Sequence, residues 1–135
     1  MMSQSGYGAP QTWAEARGFR FAAPMVTGSH HESIATVATG QADIAAIDAQ
    51  TWWIEARENP ALQHLRIIAQ THSTPGQSFI TRAGQNPAPY FTAIAGAIRA
   101  APAAVRTSLN LRGIVALPQI TYDLPLPPKI KAIAD

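Results

Sequence analysis

The sequence predicts an α/β domain with an open, mostly parallel sheet flanked by helices. Short, mostly apolar runs at Ala42–Ile47 and Leu65–Ala69, interrupted only by Asp43 and Arg66, alternate with segments whose apolar residues recur at helical spacing, as in βαβ units. The boundaries between them carry start and stop chemistry: Ser29 and Gly40 bracket one helix, Asp48 and Asn59-Pro60 the next. With 135 residues, 47% of them hydrophobic, the chain suits a single domain over 1–135 with enough apolar material for one core.

Each element has a local reason. A helix is expected from about Ala9 to Arg17, with Pro10 tolerated in its first turn, Gly18 as terminator, and Trp13 and Ala16 facing inward. Phe19, Phe21, Met25 and Val26 form a broken extended stretch interrupted by Pro24. Ser29 and Glu32 then stand in the S-x-x-E relation of a capping box, each side chain reaching the other's backbone N–H. Ile34, Val37 and Ala38 fall on one face of that helix, and Gly40 supplies its left-handed end. Ala42–Ile47 reads as a buried parallel strand, and Asp48 at its end caps a helix through Thr51, Trp52, Ile54 and Ala56. Leu65–Ala69 reads as a second strand and Ser78–Thr81 as a shorter extended piece. Pro89 and Pro102 mark two further helix starts, with Phe91, Ile94, Ala95 and Ile98, then Val105 and Leu109, as inner faces. The segment at about 111–135 is Pro-rich and should run irregularly before a short last helix around Ile130 and Ile133.

Composition narrows the function classes. The net charge is +2 and the basic residues are scattered, so no nucleic-acid stripe is present, although Asn59 to Tyr122 holds five arginines and no acid. A charged fraction of 13% leaves room for an apolar patch facing a partner. Without cysteine there is neither a disulfide nor a thiolate centre. No apolar run approaches the roughly 18 residues of a membrane helix. The chain starts on a Ser/Gly-rich turn with no export signal and no preceding strand, which reads as a truncated product or an excised domain.

Two helix starts carry the candidate chemistry. Ser3, Gln4, Ser5 and Gly6 offer hydroxyls, an amide and backbone N–H groups around a glycine that permits close approach, a cradle suited to a phosphoryl or carboxylate group. Ser29 and His30 open the second helix, where unpaired N–H groups and the positive dipole end favour an anion. His30 can donate to such an anion in a pH-sensitive contact, whereas His31 is expected to face solvent. The His30-His31-Glu32 triplet lacks metal-ligand spacing, and neither metal nor cofactor is expected. Asp48 reads equally as a helix cap or as a carboxylate for a cationic part of a ligand. Of Trp52 and Trp53, one belongs in the core and the other can reach a crevice or partner. There is no G-x-S-x-G elbow, so a hydrolase using His30 and Asp48 is the weakest reading.

Taken together, Ser3-Gln-Ser-Gly-Tyr7, Val26-Thr-Gly-Ser-His30 with Ser33, Gly40-Gln-Ala-Asp43, Ala46-Ile-Asp48 and Thr51-Trp52 resemble the phosphate/phosphonate-type substrate-binding proteins of ABC transporters. The likeness runs from about Ser3 to Asp123, with Leu109-Asn-Leu-Arg-Gly113 resembling the carboxyl-terminal region. It implies one lobe, the second, of a type 2 periplasmic binding protein, truncated at its N-terminus. By this resemblance Ser3, Gln4, Ser5 and His30 match positions that hold phosphonate or phosphate oxygens, while Asp48 lies near the position for a ligand amine.

The resulting expectation is a non-enzymatic solute-binding component for phosphonate, phosphate or a related oxyanion. Its partners would be a small anionic ligand and an ABC transporter permease, its location the periplasm by the resemblance, or the cytoplasm in view of the lack of an export signal. The alternative is a truncated, non-binding lobe that self-associates as a homo-oligomer to cover an exposed sheet edge.

Overall fold

The computed structural model describes residues 3–124, which are helical and irregular, and fall into two compact units: one built mainly from residues up to Thr74, the other from Pro75–Asp123. In the first, Ser3 sets the opening turn. Its Oγ accepts from the Gly6 amide at 3.1 Å and its carbonyl accepts from the Tyr7 and Gly8 amides, each at 3.0 Å. The backbone therefore winds a π-turn over Gln4–Gly8 and continues into α1, Ala9–Glu15, with a proline in the first turn. Tyr7, Gln11 and Ala14, spaced at four and three residues, are the buried stripe. Ala16, expected inside, is exposed because Ala14 occupies the inward position. Gly18 ends the segment at φ +76°, and the Phe19 amide turns back to the Ala14 carbonyl at 3.2 Å. Trp13, half-buried, meets Phe19 edge-on at 5.8 Å and carries the Arg17 guanidinium 4.1 Å over its ring.

Gly28, at φ +90°, swings the chain into α2, His30–Ala38. Gly40 closes it at φ +73°, with its own amide on the Val37 carbonyl and the Gln41 amide on the Thr36 carbonyl, both at 3.0 Å. Helix α3, Ala49–Glu58, begins on Asp48 and gives way to a 3-10 turn, Pro60–His64, once Asn59 Oδ1 accepts from the Ala61 amide at 3.0 Å. Helices α2 and α3 and this turn pack on one another, and Ile34, 1% exposed, and Leu62 are their buried residues.

The second unit holds α4, Ala88–Ala100, α5, Ala103–Ser108, and a 3-10 turn, Gln119–Tyr122. Helix α4 has a proline in its first turn and α5 follows Pro102, as the sequence predicts. No residue of this unit is buried: Ile94, Ala95 and Ile98 are half-covered, Val105 and Leu109 exposed.

The expected sheet is absent. Among the described residues there is no strand, so the open, mostly parallel α/β sheet and the sheet-based lobe drawn from it are corrected to an arrangement of helices and irregular segments. The runs Ala42–Ile47, Leu65–Ala69 and Ser78–Thr81 are irregular, and none of the residues in the two expected strands is buried: Ile47 and Leu65 are half-covered and Ile68 is 66% exposed. The physical reason is that a strand exists only as one side of a hydrogen-bonded ladder. These segments have the composition for pairing, but among the described residues no neighbouring segment takes up their N–H and C=O groups. The last helix expected around Ile130 and Ile133 lies outside the described residues.

Candidate functional site

Two turns that are remote in sequence meet through one hydrogen bond: Ser5 Oγ lies 2.9 Å from His30 Nε2. Ser3 Oγ, which holds the Gly6 amide, is 3.3 Å from Ser5 Oγ, so two hydroxyls and one imidazole form a continuous chain. Gly6 borders the same spot, since a Cβ there would sit 3.4 Å from Ser3 Oγ and 3.6 Å from His30 Cε1. Ser5 and His30 are half-buried while Ser3 and Gly6 face solvent, which leaves the cluster approachable from one side. The Gln4 side chain folds along the π-turn towards Gly8, where an added Cβ would collide with its amide oxygen.

Local chemistry positions His30. Ser29, extended at φ −150° and ψ 164°, caps α2 by accepting from the Glu32 amide at 3.0 Å. The Ser29 carbonyl in turn accepts from the Ser33 amide and hydroxyl at 3.0 and 2.9 Å and from the Thr27 hydroxyl at 3.2 Å. The Thr27 and Ser33 hydroxyls lie 2.6 Å apart, and with one proton each, either can donate to the other only in place of its bond to that carbonyl. Only half of the capping box forms: among the described residues, the Glu32 carboxylate makes no bond back to Ser29. The first turn of α2 nonetheless holds the Glu32 carboxylate, and the neighbouring His31 bonds Glu55.

Asp48 is a cap. Its Oδ1 accepts from the Thr51 amide at 2.9 Å and from the Thr51 hydroxyl at 3.3 Å. Trp52 is half-buried on α3, and the neighbouring Trp53 carries the Arg57 guanidinium 4.5 Å over its ring. Among the described residues, no hydrogen bond joins Asp48 or Trp52 to Ser3, Ser5 or His30. The structure thus brings together Ser3, Ser5, Gly6 and His30, with Gln4 and Ser29 as neighbours in the two turns, and leaves Asp48 and Trp52 on α3.

One cluster is absent from the sequence reading. His31, expected to face solvent, is exposed but paired: its Nδ1 stands 2.9 Å from Glu55 Oε1, while Asn59 Nδ2 donates to Glu55 Oε2 at 2.7 Å. The hydrogen bond to Glu55, reinforced by its charge, raises the pKa of His31, and the bonds from His31 and Asn59 lower that of Glu55. With Ile54, Glu58 and Pro60 these residues line a shallow groove of ≈ 380 Å³. The only legible signal was the Glu55–Asn59 spacing of one helical turn.

Residues 1–119 match the family described as ABC transporter, phosphonate, periplasmic substrate-binding protein. The chain belongs to that family. No curated protein and no solved structure matches it. The matched span includes every site residue discussed above. A phosphonate-type substrate-binding protein is a transporter component rather than a member of an enzyme family, and its family is periplasmic. Among the described residues, no helix is long and apolar enough to cross a membrane.

Proposed function

We propose that this chain binds a phosphonate, phosphate or related tetrahedral oxyanion between the Ser3–Gly6 turn and the start of α2, as the solute-binding component of an ABC transporter. The observation that carries this reading is the Ser5–His30 bond, which draws two helix starts 25 residues apart onto one spot. The donors there suit such a ligand. Ser3 Oγ accepts from Gly6 and keeps its proton for donation, and Ser5 lies between Ser3 and the imidazole. The amides of Gln4 and Ser5, and those of His30 and His31, stand at the beginning of their helical segments, outside the helical ladder. Hydrogen bonds to an ionised oxygen from this set are charge-assisted and stronger than neutral ones. His30 Nε2, held 2.9 Å from Ser5 Oγ, adds an imidazole to the same spot. Because Asp48 already caps α3, recognition of a ligand amine is not assigned to it.

Calorimetric titration with inorganic phosphate, methylphosphonate and sulfate tests the site. Saturable heat is expected with phosphate or methylphosphonate, weakened at least about tenfold, or 1.4 kcal/mol, in Ser5→Ala and in His30→Gln. Unchanged affinity in both variants would overturn the assignment.

A further inference from the structure

A second run of hydrogen bonds reaches the first turn of α2 from α3. It begins at the Pro60–His64 turn, where Asn59 Oδ1 accepts from the Ala61 amide at 3.0 Å while the Asn59 amide donates to the Glu55 carbonyl at 2.8 Å. The Asn59 side chain is thereby fixed, and its Nδ2 donates to Glu55 Oε2 at 2.7 Å. Glu55, with only 19% of its side chain exposed, is left with Oε1 facing His31 Nδ1 at 2.9 Å. A carboxylate only accepts, so Nδ1 carries the proton in this contact whether the imidazole is neutral or charged.

The residue next to His31 is His30, which bonds Ser5. Consecutive residues of a helix project about 100° apart, so two different segments grip the start of α2 in two directions. Ile34 follows His31 by three residues and His30 by four, so it projects between them, and it is 1% exposed. Beyond that anchor, the start of a helix is where fraying concentrates, because its first amides have no partner in the ladder. A rotation of this turn that carries His31 off Glu55 also moves His30 against Ser5.

We infer that Glu55 and His31 are positioning residues for the oxyanion site: the run from Asn59 through Glu55 to His31 sets the rotation of the first turn of α2 and so holds His30 Nε2 on Ser5. Neither side chain is required to touch the anion; both act through His30. The functional meaning rests on the oxyanion reading, whereas the positioning is a property of the chain without ligand.

The test follows the His30 ring nitrogens of the full chain by heteronuclear correlation spectroscopy, assigned with His30→Gln, alongside phosphate affinity by calorimetry. His31→Ala and Glu55→Ala should each move the His30 Nε2 resonance towards that of an unbonded histidine. Each should also weaken phosphate binding about two- to fivefold, in keeping with an exposed pair. His31→Asn, whose Nδ2 falls near the place of the imidazole Nδ1 and still donates to Glu55, should restore both. The double variant His31→Ala/Glu55→Ala should lose no more than either single variant, because each breaks the same link. Asp48→Ala, which loosens α3 at its opposite end, should leave the His30 resonance in place. An unmoved His30 resonance in both alanine variants would overturn the inference, as would additive losses or His31→Asn behaving like His31→Ala. If the parent chain takes up no phosphate, the oxyanion reading fails, while the ring resonances still decide whether Glu55 and His31 position His30.

Discussion

In the unit ending at Thr74, α2 and α3 start on side chains that accept a backbone amide, Ser29 and Asp48, and their packing with the Pro60–His64 turn encloses Ile34 and Leu62. In Pro75–Asp123, α4 and α5 start on prolines, with Asn86 Oδ1 accepting from the Ala88 amide at 3.0 Å, and no side chain is enclosed. Both units are helical, so helix formation alone does not separate them. What differs is whether a helix's apolar stripe finds a surface to lie against. Most helical stability in proteins comes from such packing rather than from propensity. The unit that encloses Ile34 and Leu62 carries the candidate site; the other encloses no side chain.

The strongest test of this contrast is truncation. Ile34→Ala should cost about 2–5 kcal/mol in urea denaturation followed by circular dichroism, because it opens a cavity among packed groups. Ile94→Ala on α4, half-covered, should cost less than about 1 kcal/mol. Equal losses would mean that the second unit is as tightly packed as the first.

Next come the caps. Ser29→Ala and Asp48→Ala should each lower stability by about 1 kcal/mol in the same assay, since each leaves an amide at a helix start without its acceptor. The Ser29 variant should also weaken phosphate binding through His30, whereas the Asp48 variant should leave it unchanged if Asp48 serves only α3. A matching loss of binding in both would tie α3 to the site.

Gly8→Ala is subtler. The backbone at Gly8 is helical, at φ −60° and ψ −56°, so alanine is conformationally acceptable, but its Cβ displaces the Gln4 amide. The expected result is a melting temperature kept or slightly raised, with phosphate affinity altered severalfold. Unaltered affinity would remove Gln4 from the ligand contacts.

The smallest effect belongs to the exposed His31–Glu55 pair. The folded-state pKa of His31 lies above its ordinary 6.5, so its contribution is fully present below 6.5 and is lost as pH rises through the raised value. Glu55 is depressed below its ordinary 4.5, so its contribution is present above 4.5 and lost as pH falls through the lowered value. The pair should therefore stabilise the α2–α3 contact most between 4.5 and 6.5. Histidine proton resonances followed against pH should show His31 titrating lower in Glu55→Gln; an unmoved midpoint would refute the pairing.

Much of the first unit was legible from residue types. Ser29, Asp48, Gly18 and Gly40 act where their chemistry places them, and Ser3, Ser5 and His30 stand out by residue type alone. The strands were not legible in the same way. Ala42–Ile47 and Leu65–Ala69 have the composition of buried β segments, but composition describes what a segment can do and not whether a neighbour is there to pair with it. His31 was read as solvated because its partner, Glu55, sits on another helix with no pattern linking the two.

Range of interaction explains the division. A cap or a left-handed terminator acts over three to five residues of chain, so neighbouring letters are enough to specify the helix starts and ends. The Ser5–His30 bond, the His31–Glu55 pair, the enclosure of Ile34 and the absence of any ladder depend on which remote segments come within hydrogen-bonding or van der Waals distance. That follows from how the helices pack, a property of the folded chain as a whole that no stretch of residues carries alone.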